Sequence, residues 1–110
     1  MQVVLNNPKI TVIRPQGSLN AAIALQFEQE LIAAVSQQGN NFLLVDLEKV
    51  ESIDSAGLMA LVSALKLSQR LGQRFSLCSI SPSIRIIFEL TQLDQVFEIL
   101  DKTNQLVGSF

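Results

Sequence analysis

The chain has 110 residues, 48% of them hydrophobic and 16% charged, with a net charge of −2. That length suits one domain, which buries roughly 60–70% of its unfolded surface on folding, and the composition belongs to a folded domain rather than a disordered one. The eight basic residues are scattered and there is no Trp or Tyr to stack on bases, which argues against nucleic-acid binding and against a polybasic membrane contact.

In chain order, residues 2–5 (QVVL) and 9–14 (KITVIR) are short β-branched runs joined by Asn-Asn-Pro, the pattern of a β-hairpin. Pro15 and Gly17 break the second strand. Asn20 precedes an amphipathic stretch in which Ile23, Phe27, Leu31 and Val35 recur every four residues, a helix of about 18 residues with Asn20 as N-cap and Gly39 as its stop. Residues 42–47 (FLLVDL) are almost continuously apolar, as in a central strand covered on both faces. A second helix is expected from 56 to 71 with Leu58, Leu61, Val62 and Leu65 as its buried stripe, ended by Gly72. Residues 74–79 (RFSLCS) read as a strand, with Cys78 as a small buried side chain. Ser81 and Pro82 open a third helix over 82–91 as N-cap and first helical residue. Residues 97–100 (FEIL) suit a last short strand, and TNQLVGSF a final turn or short C-terminal helix. The order β-β-α-β-α-β-α-β predicts an α/β fold, a mixed sheet with helices packed on it.

The stretch Ser52-Ile53-Asp54-Ser55-Ala56-Gly57 joins the central strand region to the second helix. A helix start leaves backbone N–H groups unpaired and carries about half a positive charge. Asp54 or Ser55 can cap it, and capping alone would account for both. Three features point beyond capping. Two cap-type residues stand side by side where one suffices. Ala56 and Gly57 are small enough for another protein's backbone to approach. The junction lies at a strand end, where open sheets present their sites.

DSAGL after FLLVDLEKVESI resembles the signature of the STAS domain family, the anti-sigma factor antagonists. VIRPQGSLN resembles that family's second strand and the GELD-like turn after it, and SLCSISPSIRIIFELTQLDQVFEIL its later strand, third helix and final strand, so the likeness covers most of the chain. It implies a single STAS-like domain over 1–110, with a curved mixed sheet and helices mainly on one side. It also implies that Ser55 is phosphorylated by a partner anti-sigma factor serine/threonine kinase, and that a cognate phosphatase resets it. The unmodified form would bind the kinase and free a sigma factor; the phosphorylated form would let go. Asn20, Asp54, Ser55, Ala56, Gly57, Leu58 and Met59 would then form the partner surface. Where the family often has an acid in the GELD turn, this chain has Gly17-Ser18-Leu19-Asn20.

An enzyme is a poor fit. No His is present to activate Ser55, and no G-x-S-x-G, P-loop or G-x-G-x-x-G occurs. Zero His and one Cys remove nearly all zinc chemistry. Asp46, Glu48, Glu51 and Asp54 are close in sequence, but strand alternation sends them to different faces, so neither a metal nor a cofactor is expected. No apolar run approaches the ~18 residues of a membrane span, and MQVVLNNPK lacks a signal pattern; a cytoplasmic, monomeric or weakly dimeric protein is the expectation. A scaffold or transporter-accessory module is the alternative role. On the third helix Ile84, Ile87, Phe88 and Thr91 suit a buried stripe. Ile86 and Leu90 form a second apolar pair that either tucks against the final strand or stays exposed for a partner or a second copy.

Overall fold

The apolar run at 42–47 is the middle of a five-stranded sheet. The computed structural model describes residues 2–6, 10–37 and 42–100. In chain order the elements are β1 (Gln2–Asn6), β2 (Ile10–Arg14), β3 (Gly17–Leu19), α1 (Ala21–Ser36), β4 (Phe42–Asp46), β5 (Val50–Ile53), α2 (Ser55–Arg70), β6 (Arg74–Cys78), α3 (Pro82–Leu90), a 3-10 turn (Leu93–Gln95) and β7 (Glu98–Leu100). The main sheet runs β1-β2-β4-β6-β7. β1 pairs antiparallel with β2, and every other pairing in this sheet is parallel. Parallel neighbours need long crossovers, and α1, α2 and α3 lie within them.

The sheet sorts its side chains by alternation. Ile13, Leu43, Val45, Phe75 and Leu77 join Phe27, Leu31 and Val35 of α1, Leu58, Leu61 and Leu65 of α2, and Ile84 and Phe88 of α3 in one core. All three helices therefore pack on one side. The alternate positions Ile10, Val12, Phe42, Leu44 and Cys78 form a second, smaller cluster. That second side also holds the ion pairs. Asp46, 1% exposed, accepts from the Arg14 guanidinium at 3.0 Å and from the Glu48 amide. Arg74 lies 4.5 Å above the Phe42 ring and 2.7 Å from Glu98. The hydrogen bond from Arg74 lowers the Glu98 carboxyl below its ordinary pKa, helped by the Ser76 hydroxyl and opposed by burial.

Helix boundaries follow the local chemistry. Asn20, Asp54 and Ser81 are the N-caps, with Pro82 at the first turn of α3. Gly72 ends α2 at φ +68, its N–H bonded to the Gln69 carbonyl while that of Gln73 reaches Ser68, the doubly bonded glycine stop of helix C-termini. α1 ends at Ser36, and the expected Gly39 stop, the Asn-Asn-Pro turn and the C-terminal TNQLVGSF segment lie outside the described residues.

One feature departs from the expected order. β3 and β5 form a separate two-stranded parallel sheet. Three and four residues are too few to show a period, so the loops around Gly17 and Ser52 concealed it. On α3, Ile84 and Phe88 are buried, and of the two alternatives for Ile86 and Leu90 the exposed one holds, at 54% and 80%.

Candidate functional site

The small sheet positions the site. β3 and β5 run parallel with Leu19 opposite Ile53. The next residues, Asn20 and Asp54, therefore emerge side by side, and each starts a helix. Asn20 Oδ1 accepts from the Ala22 amide at 3.0 Å. Asp54 Oδ1 accepts from the Gly57 amide at 3.1 Å, and its Oδ2 accepts from the Ala21 amide of the other helix at 3.2 Å. One carboxylate thus serves two helix N-termini, where negative charge is favoured. The Asp54 amide donates to the Leu19 carbonyl at 3.1 Å, and the Ser52 hydroxyl donates to that of Ser18 at 2.9 Å.

Gly57 allows this closeness. A Cβ there would stand 2.3 Å from the Leu19 carbonyl oxygen and 2.9 Å from Ile53 Cγ1. The close approach that this glycine admits is made by the chain's own β3 strand.

Ser55 opens α2 and is exposed. Among the described residues its hydroxyl has no hydrogen-bond partner. The helix-start amides divide in the same way: Gly57 N–H goes to the Asp54 side chain and Leu58 N–H to the Asp54 carbonyl, while those of Ser55 and Ala56 have no partner among the described residues. Capping is therefore done by Asp54, and Ser55 is left over.

Of the seven residues singled out in the sequence, Asn20, Asp54, Ser55 and Met59 are exposed, Ala56 is half-buried, and Gly57 and Leu58 are buried. Sequence reasoning missed Leu25. It is 70% exposed on α1, as Met59 is 57% exposed on α2, and each lies one turn beyond its capped start. The signal was present, since Leu25 falls off the Ile23-Phe27-Leu31-Val35 stripe. Ser18 and Ser52 were also missed, because they face each other only once β3 and β5 pair.

No group of three or more metal-ligating side chains occurs among the described residues, and no helix there is long and apolar enough to cross a membrane.

The sequence matches the STAS domain family over residues 2–106. It is 30% identical over 95 residues to BtrV of Bordetella bronchiseptica, named as a candidate anti-sigma factor antagonist, covering 86% of this chain and 81% of that protein. The crystal structure of TM1081 from Thermotoga maritima, described in the same terms, superposes with a TM-score of 0.87 at 25% identity, covering 98% of this chain and 92% of that one. The phosphorylated form of the Bacillus cell-fate determinant SpoIIAA superposes with a TM-score of 0.76 at 20% identity, covering 98% and 96%; at that identity the likeness concerns the fold. Proteins of the anti-sigma factor antagonist type are regulatory binding proteins rather than enzymes.

Proposed function

The chain belongs to the STAS domain family, and we propose that within it this protein is an anti-sigma factor antagonist whose switch is Ser55. The unmodified form binds an anti-sigma factor serine/threonine kinase and so releases a sigma factor. Phosphorylation of Ser55 ends that binding, and a cognate phosphatase restores it. Such an exchange belongs to the cytoplasm, where ATP and sigma factors are.

The observation that carries this reading is the division of labour at the helix start: Asp54 caps two helices, and the exposed Ser55 hydroxyl has no structural partner among the described residues. A phosphate there adds about −1.5 to −2 charges at pH 7. The two unpaired amides and the helix dipole suit it locally, so the fold can persist. A partner packed over Ser55 would have to desolvate that charge beside Asp54, and burying an unpaired charge costs several kcal/mol. About 2.7 kcal/mol already weakens binding a hundredfold. Asn20, Ala56 and Met59 border the same surface, while Gly57 and Leu58 support it from within.

Incubating the protein with anti-sigma kinases of its own genome and mapping the product by mass spectrometry tests the reading. Phosphate on Ser55 is expected. Phosphate confined to Ser18 or Ser52, or none with any such kinase, contradicts it.

A further inference from the structure

A cleft of about 150 Å³ lies between α1 and β3, the strand whose Leu19 carbonyl accepts from the Asp54 amide. Pro15, Leu19 and Phe27, all buried, line its apolar part, and Ser18, Gln26 and Glu30 line it with polar groups. Gln26 Nε2 donates to Glu30 Oε1 at 3.1 Å. The other Glu30 oxygen has no partner among the described residues. Residues 15–48 contain no Lys or Arg at all, so no cation of α1 or β3 can neutralise this carboxylate. Outside the lining, Glu51 Oε2 lies 3.9 Å from where a Gly17 Cβ would stand, and the Gly17 amide donates to the carbonyl of Lys49 at 3.0 Å.

A cleft lined half by apolar and half by polar side chains, with a carboxylate that no cation of its own two elements pairs with, suits a side chain with a hydrocarbon stem and a cationic head. The geometry points to an arginine side chain of the partner kinase as the occupant, an anchor set beside the residue that the kinase modifies. This rests on the Ser55 reading for the partner's identity. Arginine fits better than lysine because its guanidinium is planar, more weakly hydrated and able to grip a carboxylate with two N–H groups. The cleft and the switch share β3 as a neighbour: Ser18 lines the cleft and bonds to Ser52 of β5, and the Leu19 carbonyl receives the Asp54 amide. A partner seated on Ser55 therefore lies within reach of it.

The test has two arms, both using the full chain. In the first, Nα-acetyl-arginine amide and its neutral isostere Nα-acetyl-citrulline amide are titrated while backbone amides are followed by NMR. Saturable shifts at Ser18, Leu19 and Phe27 are expected with the arginine compound. They should be about tenfold weaker with citrulline and in Glu30→Gln, the effect of losing one charge-assisted hydrogen bond. Equal responses to the two compounds, or no saturable response at the cleft, would overturn the proposal. In the second arm, Glu30→Gln is assayed as a kinase substrate. KM should rise about tenfold with little change in kcat. If Ser55 is phosphorylated with unchanged KM, the cleft proposal falls and the Ser55 assignment stands. If the arginine compound binds but no kinase modifies Ser55, the switch reading fails, and the partner named here fails with it.

Discussion

Two neighbouring residues at the start of α2 have different duties. Asp54 holds two helix starts through separate oxygens. Asp54→Ala should therefore cost about 2 kcal/mol in urea unfolding, at the upper end for an N-cap. Ser55→Ala should change stability by no more than about 0.5 kcal/mol, because no described residue uses the hydroxyl. The reverse ranking would make Ser55 the structural residue. Asn20 stands beside Asp54 and caps α1 without charge. Asn20→Asp keeps a good cap and adds a carboxylate near the switch, so the rate of Ser55 phosphorylation should change several-fold; an unchanged rate would remove this turn from the kinase's footprint. The pairing of an acid with a hydroxyl was legible in the sequence. Which of them capped was not, since either side chain can accept from a helix-start amide.

At the element scale the decisive feature is the one that the sequence concealed. Without β3 and β5 the two helix starts would have no reason to meet. Their pairing brings Leu19 against Ile53 and requires the second helix to begin against a strand carbonyl. Gly57→Ala gains about 1 kcal/mol of helix propensity, yet its Cβ would sit 2.3 Å from the Leu19 oxygen. A net loss of about 2 kcal/mol is expected, in the range of overpacked sites, and a stabilised variant would show that the two strands are not so close. The helices themselves were readable because Phe27, Leu31 and Val35, or Leu58, Leu61 and Leu65, repeat over enough turns to show a period. β3 and β5 end before a period can form. Ile86 and Leu90 lay beyond sequence reasoning for another reason. A pair at i and i+4 shares a helix face, but only the packed structure shows that this face looks outward.

At the scale of the whole molecule, β4 is the middle strand, and all five of its residues are buried. Its run of apolar residues foretold that position, because only a strand covered on both faces dispenses with alternation. The amides of Leu43–Val45 should be among the slowest to exchange, opening only with global unfolding; exchange as fast as at Gly17–Leu19 would contradict the architecture. The ion pair at the β6–β7 edge adds a pH dependence. Because Arg74 lowers the folded-state pKa of Glu98, the stabilisation is fully present above the ordinary glutamate range and fades as pH falls through the lower folded value. With Glu98 44% exposed, solvent screening limits it to a few tenths of a kcal/mol, and Glu98→Gln should flatten that part of the acid limb. In the proposed switch, residue, element and sheet act together: the sheet holds two helix starts side by side and leaves the Ser55 hydroxyl without a partner among the described residues. The most direct measurement is the affinity of the partner kinase for Ser55→Ala and Ser55→Asp, both of which should fold. Ser55→Ala should bind at least as tightly as the unmodified protein. Ser55→Asp, with a second carboxylate beside Asp54 in a desolvated contact, should bind about tenfold or more weakly. Equal affinities for the two variants would contradict the electrostatic switch.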